Sequence, residues 1–226
     1  MRLRELATAH PRWGAPLLTW ALQREGWRDN HKRIERVYRQ EGLAVRKRRR
    51  KKLTRPRAPH VPALVPNARW SMDFLRDTLA TNRVIRVFTL VDDCTREALQ
   101  VAVDTSFPGS QVVAALEGIA AVRGYPTQLV CDNGPEFIGR AVVGWAMQHG
   151  VHLLHIQPGK PNQNAFVESF NGRVRDECLN QHWFLSLADA RRTLAAYQRL
   201  YNAGRRHGAH GKLTPNEFAA TFSNTP

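Results

Sequence analysis

Two periodicities divide the chain. Up to residue 43 apolar positions recur at helical spacing, whereas from residue 67 onward alternating or continuous apolar runs are interleaved with helical ones. In the front part, Leu17, Leu18, Ala21 and Leu22 form a stripe within a helix predicted over 16–25 and closed by Gly26. Asn30 can cap a second helix over 31–40, with Ile34, Val37 and Tyr38 on one face and Gly42 as its stop. Further on, strands are expected at 70–75, 84–91, 97–103, 128–131 and 151–155, and helices at 110–122, 139–149, from 165 onward and 187–203. The run 84–91 is mostly apolar, as a central strand is, and the turn Asp92-Asp93-Cys94-Thr95-Arg96 leads into an antiparallel partner. Three strands, then alternating helix and strand, then helices make a mixed α/β chain.

Charge sharpens that division. Residues 1–60 hold 18 Lys and Arg against 5 Asp and Glu, a net +13, which leaves +2 for the other 166 residues. So uneven a split points to a polyanion partner for the front half. Lys32, Arg33, Arg36 and Arg39 lie off the apolar face of the second helix, and a short Gly-containing turn precedes it, as in a helix-turn-helix. A helical hairpin with a solvated charged face fits the same spacing. Residues 44–66 read as a linker: Arg46, Lys47, Arg48, Arg49, Arg50, Lys51 and Lys52 form a run of seven like charges, and Pro56, Pro59, Pro62 and Pro66 favour an extended spacer. Such an arm is expected to gain affinity for nucleic acid by releasing phosphate counterions, with a targeting signal as the alternative reading. The cysteines Cys94, Cys131 and Cys178 are isolated, which excludes a His₂Cys₂ zinc module in the front half and a disulfide framework, and suits a reducing cytoplasm. No apolar run is long enough to span a bilayer, and no signal peptide is visible, so no membrane partner is expected.

Candidate chemistry lies in three acids. Asp132 ends the strand 128–131 and precedes the turn Asn133-Gly134-Pro135, a position that aims a carboxylate into the crevice at the strand ends of an open sheet. Glu168 follows a Gly-Lys-Pro-Asn-Gln-Asn lead-in to a helix, where Phe166 and Phe170 are expected to share one apolar face and leave the acid displaced from it. Between Asp132 and Glu168 lie the 35 residues 133–167. Asp73 centres the strand-like Trp70-Ser-Met-Asp-Phe-Leu75. Three carboxylates suit hard divalent cations, and two such ions roughly 3.5–4 Å apart can drive phosphoryl transfer. Asp92 and Asp93 are rival acids, read here as turn caps, and His152 and His155 as strand-end histidines.

Asp73, Asp132 and Glu168 in this order and spacing resemble the DDE triad of retroviral-integrase-like transposases. The phrases WSMDF, DNGPEF and PNQNAFVESFNGRVRDECLN resemble the catalytic core of the OrfB transposases of bacterial insertion sequences, closely over residues 67–218 and more loosely before them. The resemblance implies a ribonuclease H-like fold, a mixed five-stranded sheet with flanking helices, preceded by a small all-helical HTH-like segment. The division is then 1–43 helical, 44–66 linker and 67–226 catalytic core with a helical tail. It also implies a DNA transposase that cleaves and joins element ends, with Asp73, Asp132 and Glu168 holding two Mg²⁺ or Mn²⁺ ions. DNA is the expected partner, in a cytoplasmic, nucleoid-associated homo-oligomer, together with an upstream-frame (OrfA-like) protein or fusion. Expected DNA contacts are Arg33, Arg36, the basic run 46–52, the loop residues Lys160, Asn162, Gln163 and Asn164, and Asn171 and Arg175, three and seven residues beyond Glu168. The ending from Tyr201 to Phe218 is also similar, except that Arg206 stands where the family has proline. A same-fold nuclease and a non-catalytic DNA-binding domesticated transposase are the alternatives.

Overall fold

A computed structural model of the chain describes residues 1–45, 63–157 and 164–223. The basic run 46–52 and most of the 44–66 linker therefore lie outside the described residues, as do Lys160, Asn162 and Gln163. At the front, α1 (Arg2–Ala9), α2 (Ala15–Arg24) and α3 (His31–Gln40) bring their apolar stripes together. Leu6, Trp13, Leu18, Leu22, Ile34 and Tyr38 form a core of their own. Asn30 caps α3 as its sequence position predicts, its side-chain oxygen accepting from the Lys32 amide at 3.0 Å. Lys32, Arg33, Arg36 and Arg39 stay exposed.

The second part is built on strands β1 (Arg69–Thr78), β2 (Val84–Asp92), β3 (Ala98–Asp104), β4 (Gln128–Cys131) and β5 (His152–His155), in the order β3-β2-β1-β4-β5. The first three are antiparallel neighbours, while β4 runs parallel to β1 and β5 parallel to β4. β1 pairs with β2 from Trp70↔Asp92 to Thr78↔Val84, but with β4 only over Arg69, Trp70 and Ser71. Beyond Ser71 the sheet opens between β1 and β4. Alternation along β1 then decides which side chain faces what. Trp70 and Met72 join Phe88, Leu90, Leu129 and Trp145 in the core under α4 (Gly109–Arg123) and α6 (Arg140–Gln148). Leu75 joins Val87, Val103, Phe170, Leu194 and Tyr201 under α7 (Ala165–Glu177) and α8 (Leu187–Ala203). Asp73 shares that second face, and so it looks towards α7.

The expected elements are all present, and α1, α5 (Pro135–Ile138) and α9 (Pro215–Ser223) are additional to them. The helix predicted over 139–149 is preceded by α5 (Pro135–Ile138), separated from α6 by an extended Gly139, because Pro135 starts a helical turn straight after the Asn133-Gly134 bend. A further helix, α9 (Pro215–Ser223), follows Thr214. Thr214 and Glu217 make a reciprocal capping box, with the Thr214 amide donating to Glu217 at 2.8 Å and the Glu217 amide to the Thr214 hydroxyl at 3.2 Å. The helical front rests on the second part through Arg12–Asp176 at 2.5 Å and an Arg24 bond to the Ala203 carbonyl at 3.0 Å. Among the described residues no helix is long and apolar enough to cross a membrane.

Candidate active site

Three elements converge at the open seam of the sheet. Asp73 lies within β1, Asp132 is the first residue beyond β4, and Glu168 occupies the first turn of α7. One oxygen of Asp73 accepts from the Phe74 amide at 2.7 Å and the other from the Asn171 carboxamide at 2.8 Å. Asn171 is itself braced, since the Thr89 hydroxyl on β2 donates to its oxygen at 2.8 Å and lies 3.1 Å from the Asp73 carbonyl. Burial pushes the Asp73 carboxyl up to about 6, and the charges of Asp132 and Glu168 push in the same direction against the pull of its two hydrogen bonds. Glu168 is exposed, yet partial burial raises its carboxyl too.

Asp132 is aimed by the turn that follows it. Its side chain accepts from the Gly134 amide at 2.9 Å. A Cβ at Gly134 would stand 2.9 Å from that same oxygen, so a larger residue there would make the Asp132 carboxylate shift. Asn133 ties the turn to the end of β5 by donating to the Ile156 carbonyl at 3.0 Å. His155 has the expected strand-end role, with Nδ1 3.2 Å from the Asp132 carbonyl and 3.4 Å from the Cys131 sulfur.

As the side chains stand, no group of three or more His, Cys, Asp or Glu among the described residues is close enough to hold a metal ion. Yet Asp73 senses the charge of both other acids. The two findings agree once side-chain direction is considered. Both oxygens of Asp73 and one of Asp132 rest on protein donors, so the backbone places the acids in one field while their rotamers point to local partners.

Several expectations change at α7. Its buried stripe is Val167, Phe170, Asn171 and Val174, not Phe166 with Phe170. Phe166 is half-buried at the helix edge, with the Arg96 guanidinium 3.2 Å from its ring centroid and Arg69 5.8 Å away. Arg96 adopts φ 60 in the β2–β3 turn, and burial brings its guanidinium down to about 10. Asn171, expected at the DNA, is buried and committed to Asp73 and Thr89, because rotation of the helix turns the i+3 position inward. Asn164 is likewise buried, donating to the Met72 carbonyl at 3.3 Å instead of facing solvent. Arg175 is exposed, with a long bond of 3.4 Å to the Arg76 carbonyl. Arg33 and Arg36 are both exposed, the former paired with Asp29 at 2.9 Å.

Of the rival acids Asp92 is the turn cap expected, whereas Asp93 makes an ion pair with Arg69 instead of capping the turn. Asp92 accepts from the amides of Cys94 (2.8 Å), Thr95 (3.0 Å) and Asn67 (2.8 Å), and Asp93 pairs with Arg69 at 2.6 Å.

Models of the Integrase core domain match residues 64–161 and 149–215, and an HTH-like domain model matches residues 1–52. The chain is 48% identical over 232 residues to an uncharacterized 31.7 kDa protein of insertion element IS407 from Burkholderia multivorans, covering 99% of this chain and 81% of that protein. It is also 48% identical over 224 residues to an uncharacterized 39.2 kDa protein of insertion element IS476 from Xanthomonas euvesicatoria, covering 98% of this chain but 64% of that protein. Transposase InsF of insertion sequence IS3A from Escherichia coli is 25% identical, over 92% of this chain and 76% of its own length. Among solved structures, a simian T-cell lymphotropic virus intasome aligns with a TM-score of 0.63 at 16% identity, covering 99% of this chain and 75% of its own. The HTLV-2 integrase catalytic core in complex with magnesium aligns at 0.57 and 16% identity, over 69% of this chain and 98% of its own. These two likenesses establish the fold, the ribonuclease H-like sheet of integrase cores. With an HTH-like front, an integrase core and close relatives carried by insertion elements, the chain belongs to the family of bacterial insertion-sequence transposases.

Proposed function

We propose that the protein is a DNA transposase, a polynucleotidyl transferase that cleaves and joins strands at the ends of an insertion sequence. Asp73, Asp132 and Glu168 are its catalytic acids and the ligands of two Mg²⁺ or Mn²⁺ ions. The observation that carries this reading is the placement of acids from three separate elements, β1, the end of β4 and the first turn of α7, about one seam where Asp132 and Glu168 both act on Asp73 by their charge. Negative charge gathered there, with no cationic side chain among the described residues acting on Asp73, is what a divalent cation relieves, and an all-oxygen donor set suits hard cations. The magnesium held by the HTLV-2 integrase core, a fold neighbour, supports the choice of metal. Bound in pairs, such ions activate an attacking oxygen and stabilise the leaving one.

The chain's own residues do the positioning. Asn171 and Thr89 fix Asp73 relative to α7, Gly134 aims Asp132, and the first turn of α7 presents Glu168 to the seam. No side chain of the site need act as nucleophile: water attacks first, and the freed 3′-hydroxyl attacks a second phosphodiester in line. The HTH-like front, with its net +13 over residues 1–60, and the linker 44–66 bind DNA, while 67–226 carry the chemistry. The reading includes a cytoplasmic homo-oligomer at the nucleoid and an OrfA-like partner or fusion. Its test is Mg²⁺- or Mn²⁺-dependent joining of a pre-cleaved 3′ DNA end to plasmid, wild type against Asp132→Asn. Joining by the wild type alone is expected; equal joining by both would sink the assignment.

A further inference from the structure

Between the helical front and the segment after α8 lies a cavity of about 410 Å³, away from the three acids, lined by Arg12, Trp20, Arg173, Arg205, Arg206 and His207 among others. Two of its arginines are neutralised. Arg12 pairs with Asp176 at 2.5 Å, and Arg205 makes a bidentate pair with Glu177 at 2.7 and 2.9 Å. Arg173 and Arg206 have no carboxylate partner of their own among the described residues. Glu217 feels the charge of Arg206, but its carboxylate is taken by the Thr214 amide at 2.8 Å and lies 3.8 Å from Arg24. Arg206 instead donates to the Lys212 carbonyl at 3.2 Å, which holds the loop after α8 against the cavity.

The walls also present buried polar atoms with nothing to bond. His207 is 6% exposed and its Nε2 has no partner, and the Nε atoms of Arg12 and Arg206 are equally orphaned. Buried polar atoms of this kind are ordinarily satisfied, so the wall behind the cavity is polar and under-bonded, though these atoms themselves are closed off from solvent. The local field is strongly positive as well, because burial and then the charges of Arg205, Arg173, His210 and Arg96 hold His207 down to about 3. Two arginines without a carboxylate partner among the described residues, lining a positive and partly open cavity, suit the oxygens of phosphate. A cavity of this size admits one such group and excludes a duplex.

We propose that this cleft is a phosphate-binding site, in which Arg173 and Arg206 hold a single backbone phosphate of a DNA strand crossing its mouth. The DNA source rests on the transposase reading above; the anion site itself does not. Arg173 lies on the same helix as Glu168, so a phosphate bound in the cleft is registered to the acid site through α7 alone.

The experiment compares the full chain with the double variant Arg173→Gln/Arg206→Gln, using labelled duplex DNA in fluorescence anisotropy across a range of KCl, and inorganic phosphate in thermal melts. The variant should bind DNA about tenfold more weakly, with the plot of log affinity against log salt shallower by about 1. Arg173→Lys/Arg206→Lys should keep the wild-type slope, which separates lost charge from lost folding. If phosphate raises the wild-type melting temperature but not that of the Gln pair, while the DNA slope is unchanged, the site stands and its ligand is a free phosphate compound. Unchanged slope together with no phosphate-dependent shift overturns the proposal. A wild type that fails to bind DNA at all condemns the transposase reading instead, and the phosphate melts then decide the cleft by themselves.

Discussion

Two groups of acids sit a few residues apart on the same pair of strands, and the fold treats them in opposite ways. Asp92, opposite Trp70, is fully buried and accepts from three backbone amides, while its neighbour Asp93 is paired with Arg69. Asp73, opposite Thr89, is less deeply buried but has only one amide and one neutral carboxamide for company, with two further acids in its field. Depth of burial does not distinguish structural from chemical acids here. What distinguishes them is whether the fold supplies compensating positive charge. At the β2–β3 turn Arg69 does so, with Arg123 3.9 Å from Asp92. At the seam no cationic side chain among the described residues is drawn in against Asp73, and in the proposed reading that deficit is left for a ligand.

That contrast can be broken most decisively by exchanging the two phenotypes. Glu168→Gln should abolish DNA joining and leave the unfolding midpoint within about 0.5 kcal/mol of wild type, as exposed substitutions do. Asp92→Ala should do the reverse, destabilising the chain by roughly 3 kcal/mol or more, because three buried amides lose their acceptor at once. Denaturant unfolding beside a joining assay reads both, and an unperturbed midpoint in Asp92→Ala would return that residue to the list of site acids. A smaller effect is expected at Asn171→Ala. Removing the brace of Asp73 should lower joining and weaken metal activation by about 10- to 100-fold, the usual range for residues that orient a ligand. Wild-type metal dependence in that variant would show that Asp73 holds itself.

The smallest effect is a dependence on pH at the opposite electrostatic extreme. His207, held down to about 3 among arginines, stays neutral in the folded chain, whereas the unfolded chain takes up the proton below about 6.5. Its contribution is therefore complete above that value and is lost as the pH falls, by about 1 kcal/mol between pH 7 and 5.5. His207→Asn should flatten that part of the stability profile; an identical acid limb would mean that other groups carry it.

Much of this architecture was legible because its signals are local. Period-two runs marked the strands, Asn30 marked the start of α3, and Asn133-Gly134-Pro135 marked the strand end that bears Asp132. The three acids stand out in order and spacing through the resemblance to the DDE triad, and their role is a proposal. The orientation of α7 was not legible. Spacing alone cannot say which of two overlapping stripes will face the sheet, and docking against β1 and β2 chose Val167, Phe170, Asn171 and Val174 over Phe166. Asn164 and Asn171 were accordingly expected on the surface and are buried. The capping box at Thr214 and Glu217 shows a different shortfall, for its signal was present in the sequence and simply went unused. Arg206, the departure from the expected proline, acquires a role only when the loop after α8 is folded back on the helical front.

The short pairing of β4 with β1 has a consequence for where the glutamate stands. Past Ser71, β1 presents carbonyls to a side where β4 has ended, and a strand in that position must find other donors. They come from the helix: Asn164 reaches the carbonyl of Met72 and Arg175 that of Arg76, at 3.3 and 3.4 Å. Side chains near the two ends of α7 thus replace a missing neighbouring strand, one on each flank of the residue that carries Asp73. Two carbonyls of the main chain act as the notches into which the helix is keyed, and Glu168 lies between the teeth. The separation of Asp73 and Glu168 is then referred to the repeat of the β1 backbone, through two side chains that lie outside the acids themselves.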